Sequence, residues 1–347
     1  MSAKRSFLVT SLVVLTALAG CSRIDRGDAP AQDKGAAAEV RLGYLPNVTH
    51  AAALIGVDKG YFAAELGGTK LVTQAFNAGP QAVNALLGSS LDVSFIGTGP
   101  AINAHAKSDG EAVRLVAGAA SGGAQLVVKP GIGSPADLAG KVVASPQLGS
   151  TQDIAVKKWL ADAGLDAQVT NIDNAQALDL FKRGDIEGAW VPEPWSSRLV
   201  LEAGAKVLVD EKTLWPGGTF PTTVVLVRTK FLQEHPRTVE ALLRGHLAAI
   251  DFASRHEVEA KQVVNAALQR LTGKALGEDV LDRAFDDIEL TADPEVDSFP
   301  RLAQDAVTAG VAKKAANVAG LADFTLLNKV LSAAGKPAVD TAGLDEK

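Results

Sequence analysis

From Val40 to about Val209 the chain alternates short apolar runs with polar loops and helix-like stretches. Val40–Leu45 reads as a strand, Thr49–Lys59 as a helix stopped at Gly60, and Lys70–Phe76 and Leu91–Ile96 as further strands. Each is followed by a polar loop and another helix, the rhythm of a largely parallel sheet flanked by helices. Beyond Phe231 the pattern changes to long helices, with Pro236–Ser254, Val258–Leu271, Leu276–Ile288 and Phe299–Ala312 as the predicted spans. These are expected to wrap the first domain.

An internal echo organises the alternating half. Gln81–Leu86 and Leu91–Phe95 align without a gap, at an offset of 95, with Gln176–Phe181 and Ile186–Trp190. Each copy reads as a helix, a turn and a buried strand, so the pattern predicts two lobes of similar build. Gly97-Thr98-Gly99-Pro100 follows the first copy and Pro192-Glu193-Pro194-Trp195 the second, and both loops are expected to face one cleft.

The first residues carry a different signal. An apolar run from Phe7 to Gly20 stands behind Lys4 and Arg5 and ends in Leu18-Ala19-Gly20-Cys21. A basic start, a short apolar core and small residues before the cut match a secretory signal peptide. A cysteine at the first mature position is the acceptor for a lipid, so residues 1–20 are read as a lipoprotein signal and Cys21 as its lipidation site. The run is shorter than the roughly 20 residues of a spanning helix. Residues 21–39, rich in Ala, Gly, Asp and Lys, read as a flexible linker. The expected location is the extracytoplasmic face of the cell membrane, reached through the lipid.

Composition narrows the partners. Hydrophobic residues make up 47% of the chain and charged residues 21%, a globular balance. Removing Lys4 and Arg5 with the signal takes the formal net charge from −6 to −8, which argues against a nucleic-acid partner. With Cys21, the sole cysteine, consumed as an anchor, no disulfide is available and a monomer held by its core is expected. Any anionic guest has to be held by local groups.

Five loops at predicted strand ends supply such groups: Pro46–His50, Asn77–Pro80, Gly97–Pro100, Gln147–Asp153 and Pro192–Trp195. Ligands in open α/β sheets bind at the carboxyl ends of the strands, where loops run into helix N-termini. Gly permits close backbone approach, Pro80, Pro100 and Pro194 suit the first helical position, and free N–H groups there favour anions. A micromolar guest needs about 8 kcal/mol beyond an association cost of at least ~4 kcal/mol. Hydrogen bonds to a charged group contribute about 1.5–3 kcal/mol each, so five or six donors and a buried alkyl stem suffice without arginine.

Val40–Ala63, Phe76–Pro80, Pro146–Asp153, Ala189–Trp195 and Leu214–Pro216 together resemble the sulfonate, nitrate and taurine branch of the substrate-binding proteins of ABC importers. The resemblance runs from Val40 to about Ala334. It implies an α/β, two-lobed type II periplasmic-binding-protein fold, each lobe a mostly parallel sheet flanked by helices, joined by two crossing strands at Ala124–Lys129 and Thr222–Arg228. Lobe I is then 40–125 with 224–335, lobe II 126–223, and 336–347 a tail. The implied function is capture of a small organic anion, foremost an aliphatic sulfonate, between the lobes, and its delivery to a permease and, through it, to ATPase subunits.

The candidate ligand-binding set is Asn47, His50, Asn77, Gly79, Thr98, Gly99, Gly122, Gln147, Ser150, Thr151, Gln152, Glu193, Trp195 and Thr222, with no cofactor and no metal. Glu193 either meets an amine on the guest or caps its helix and faces away, the second being favoured. Trp190, Trp195 and Trp215 serve either an apolar slot or the core. Nitrate, taurine and a thiamine pyrimidine precursor remain alternative guests. A sensor lipoprotein and an enzyme on the same fold remain alternative classes, although the five histidines show no metal-ligand spacing and no catalytic motif stands out in the sequence.

Overall fold

Runs such as Val93–Ile96 and Gly188–Pro192 are buried at every position, which a strand achieves only with its sheet covered on both faces. The structure, a computed structural model, describes residues 32–346. The signal at 1–20, Cys21 and most of the linker therefore lie outside the described residues. Eleven strands are present among the described residues: β1 (Glu39–Tyr44), β2 (Lys70–Ala75), β3 (Val93–Ile96), β4 (Val113–Gly122), β5 (Ala124–Val128), β6 (Val142–Ser145), β7 (Gln168–Asn171), β8 (Gly188–Pro192), β9 (Lys206–Asp210), β10 (Pro221–Arg228) and β11 (Ile288–Glu289).

They form two sheets, ordered β11-β4-β10-β3-β1-β2 and β9-β5-β8-β6-β7. Apart from the short β11, the two orders superpose strand for strand. In each, three strands run parallel, β3-β1-β2 and β8-β6-β7. In each, the next strand is antiparallel and arrives from the other lobe: β5 follows β4 out of the first, and β10 follows β9 out of the second. The segments expected to cross are thus strands inside single sheets. The crossings themselves are the Gly122–Gly123 step and the 211–220 segment. Each holds a glycine pair in the left-handed region, Gly122 and Gly123 at φ +71° and +73°, Gly217 and Gly218 at +74° and +72°.

The helices are α1 (Ala51–Asp58), α2 (Tyr61–Leu66), α3 (Gly79–Leu87), α4 (Thr98–Lys107), α5 (Thr151–Asp162), α6 (Asn174–Arg183), α7 (Trp195–Ala203), α8 (Thr229–Glu234), α9 (Pro236–Arg255), α10 (Glu257–Thr272), α11 (Glu278–Asp286), α12 (Phe299–Thr308) and α13 (Thr325–Ala333). The echo has a structural counterpart: the offset of 95 carries α3 onto α6 and the start of β3 onto the start of β8. In α9, Val239, Leu242, Leu243, His246, Leu247 and Ala249 are buried at the three-to-four spacing of one helix face, against the first-lobe sheet and its other helices. The helical tail does more than complete the first lobe. Arg283 of α11 bonds Glu193 and Ser197 of the second lobe at 3.0 and 2.8 Å, and Lys158 of α5 faces Asp305 of α12 at 3.7 Å.

β10 is tied down at its end. Asp92, just before β3, accepts from Arg41 of β1 and from Arg228 of β10, both at 2.7 Å. Burial alone raises the Asp92 pKa, but the bonds from Arg41 and Arg228 hold it below the usual carboxylate range. The step between the lobes leaves little room: a Cβ on Gly123 would lie 2.3 Å from Ile288 Cγ2 and 3.2 Å from Thr49 Cγ2. A side chain there adds both strain and a clash, so Gly123→Ala is expected to lower the unfolding free energy by about 1–3 kcal/mol. Urea titration of the two proteins measures it; an unchanged midpoint contradicts the account.

Candidate functional site

The ends of β1, β2, β3, β6, β7 and β8 point into one cleft between the lobes, and each loop there runs into a helix start. Ala78 and Gly79 open α3, Gly97 precedes α4, Ser150 precedes α5, Asn174 opens α6, and a short 3-10 turn, Val48–His50, leads into α1. All of these starts contribute to the lining of one cavity of about 30 Å³. The first N–H groups of a helix have no partner inside it, and the helix dipole adds partial positive charge at that end. None of the lining residues is Asp, Glu, Lys or Arg.

His50 does not supply a charge either. It is 3% exposed, and burial pushes its pKa down to about 3. Its Nδ1 accepts from the Leu45 amide at 3.3 Å, so the proton of the neutral ring sits on Nε2. The site therefore offers neutral hydrogen-bonding groups only. Two buried side-chain oxygens in the lining, Thr223 Oγ1 and Asn174 Oδ1, have no hydrogen-bond partner within the protein.

Of the residues singled out in the sequence, Asn47, His50, Asn77, Gly79, Ser150, Thr151, Gln152 and Thr222 line the cavity. The others stand apart from it. Thr98 is fully buried behind Gly97, its hydroxyl without a partner. The Gly99 amide crosses between lobes to Thr151 Oγ1 at 3.1 Å. Gly122 belongs to the crossing, where its carbonyl accepts from Thr222, so that hydroxyl is also engaged. Gln147 sits on the second-lobe rim, with its Oε1 buried and unpaired.

Glu193 turns away from the cleft. Its carboxylate accepts from Ser196 Oγ, from the Ser197 amide at 3.2 Å and from Arg283 at 3.0 Å. Burial raises its pKa, with Ser196, Ser197 and Arg283 opposing. Trp195 donates from Nε1 to Asn47 Oδ1 at 3.0 Å, a second bond from lobe to lobe. Trp190 is fully buried and donates to Glu211, and Trp215 packs on Phe220 under Arg301, so neither lines the cleft.

The sequence reading passed over Thr49, Asn174 and Thr223. Asn174 had a legible signal, because the internal offset of 95 maps Gly79 onto it. Thr223 lies within a strand, and nothing in the sequence separates it from its neighbours.

With the geometry in place, comparison with known proteins is specific. Residues 33–268 match the NMT1-like family. The chain belongs to that family. A taurine-binding periplasmic protein of Escherichia coli strain K12 is 30% identical over 222 residues, 62% of this chain and 68% of the relative. The alkanesulfonate-binding protein SsuA from Xanthomonas axonopodis pv. citri, solved bound to MOPS, shares the fold with a TM-score of 0.67 at 20% identity, over 85% of this chain and 98% of the other. The periplasmic nitrate-binding protein NrtA from Synechocystis PCC 6803 does so with a TM-score of 0.69 at 18% identity, over 85% and 89%. All three are named as binding proteins.

The neutral His50 has two measurable consequences. Between pH 5 and 8 the affinity for a permanently ionised guest is expected to stay constant within twofold in calorimetry; an imidazolium donor would instead weaken binding as pH rises. Stability moves the other way. The folded pKa of His50 is about 3 and that of buried His246 about 4, both below the unfolded value of 6.5, so their contribution is complete above pH 6.5 and lost as pH falls toward 4. Urea titrations should show that slope reduced by about one proton in His246→Gln.

Proposed function

We propose that this protein is the extracytoplasmic solute-binding component of an ABC importer, that it closes its two lobes on a small organic monoanion, foremost an aliphatic sulfonate, and that it passes this guest to a membrane permease. The observation that supports it most is the meeting of helix starts from both lobes at one cavity lined without an ionised side chain. The names of the taurine-, alkanesulfonate- and nitrate-binding relatives agree with it.

Neutral donors favour a single charge. The cost of taking an ion out of water grows with the square of its charge, whereas the return from fixed dipoles grows only linearly. A sulfonate, ionised at every physiological pH, suits such a site better than sulfate or a phosphonate dianion. The cavity of about 30 Å³ is far below the roughly 300–1,000 Å³ of small-molecule sites, so entry requires the lobes to part. The glycine pairs of the two crossings are where that rotation would occur.

The reading includes binding without turnover, in keeping with the relatives named as binding proteins. No helix among the described residues is long and apolar enough to cross a membrane. Tethering at Cys21, with a linker whose reach is roughly 25 Å for its 18 or so residues, belongs to the proposal and rests on the lipobox alone. Lobes of 40–125 with 224–335 and of 126–223, in a monomer, also belong to the proposal.

Thr223→Val separates recognition from folding. Its hydroxyl is buried and unpaired, so the isosteric change is expected to leave Tm unchanged or slightly higher. Affinity for the guest should fall at least tenfold in calorimetry. A thermal-shift screen of alkanesulfonates, taurine, nitrate and sulfate identifies the guest class; monoanions are expected to raise Tm and sulfate not to. Silence from every monoanion, or full affinity in Thr223→Val, rejects the proposed site.

A further inference from the structure

A second cavity, about 490 Å³, lies along α4 between that helix, α12 and the 311–319 segment. Its volume falls in the range of small-molecule sites, about 300–1,000 Å³. Its walls are mainly apolar, with Ile102, Leu302, Ala306, Val311 and Ala316 from the first lobe and Ile154 from the second. The methyl side chains of Ala306 and Ala316 leave the space that larger residues would fill.

The cavity adjoins the interlobe cleft across a single seam. Gly97 and Thr151 line the cleft, whereas Gly99 and Ile154 line the larger cavity. The seam is the bond from the Gly99 amide to Thr151 Oγ1, backed by glycines so close that a Cβ on Gly97 would lie 2.5 Å from that oxygen and one on Gly99 3.0 Å from Ile154 Cδ1. Its two sides belong to different lobes, so the opening that admits a guest also parts the seam and joins the two spaces.

We infer that the larger cavity receives the apolar tail of the guest whose anionic head is held in the cleft, which makes the preferred guest a monosulfonate with an extended alkyl or aryl tail rather than a two-carbon sulfonate. This rests on the proposed function. Two features support it: the cleft alone has no room for a tail, and the adjoining walls are apolar. The far rim carries Asp109, Glu111 and Lys314, a mixed set that offers no cluster of cations for a second anionic group.

Calorimetry of the full chain with ethanesulfonate and octanesulfonate tests the inference. Each buried methylene is worth about fourfold in affinity, so octanesulfonate is expected to bind at least tenfold tighter. Ala306→Phe fills the cavity and should bring the ratio to within threefold, with Ala316→Phe on the opposite wall as the second variant should the first not fold. Equal affinity for the two sulfonates in the wild type overturns the tail site while leaving the head site standing, and so does a preference undiminished in the filled variants. Failure of both sulfonates to bind removes the head site and the tail site together.

Discussion

The arrangement depends on backbone dipoles from two separate sheets converging on a space that holds no compensating charge. A single lobe presents only some of those donors, and the partial charge at one helix end contributes only about 0.3–1 kcal/mol. What makes the set effective is closure, which removes water and raises the strength of every dipole facing the cavity. Closure is in turn held by the protein's own bonds, Trp195 to Asn47 and Gly99 to Thr151, each with its donor on one lobe and its acceptor on the other. Two residues of the cavity lining, Asn47 and Thr151, thus also hold the opposite lobe.

Acidic residues near the cleft have been dealt with individually, as a neutral site in a negatively charged protein demands. Asp153, one turn into α5, is fully buried but bonded by Ser145, the Gly149 amide, Lys157 and Asn171. Glu193 is spent on Ser196, Ser197 and Arg283. Both carboxylates shape the loops that hold the donors and neither lines the cavity. An unpaired carboxylate at either place would oppose an anion strongly in so dry a setting.

Much of the architecture was legible because apolar runs such as those of β3 and β8 alternate with helix-like stretches and are punctuated by glycine and proline. The expected Pro236–Ser254 helix is α9 almost to the residue, and the internal echo marks equivalent elements in the two lobes. The two strands that enter from the opposite lobe, β5 and β10, were legible almost to the residue; that each lies wholly within one sheet shows only in the pairing. At the site, the loops with Asn47, Gly79 and Thr151 were visible from their composition. The orientation of a side chain within such a loop was not. Thr98 and Thr151 are both hydroxyls at a helix start, yet one is buried behind glycine while the other faces the cleft. Thr223 shows the converse, lying in the lining with ordinary surroundings in sequence.

The exchange of strands between the sheets constrains how the chain reaches its native state. The sheet β9-β5-β8-β6-β7 is drawn from one continuous stretch, residues 124–210, and all its pairings are available once that stretch exists. The other sheet lacks its central β10 until residue 228, and without that strand β4 has no connection to β3. A chain emerging N-terminus first therefore completes its middle lobe before its outer one, and the N-terminal strands must wait, unpaired on one side, for the return of the polypeptide.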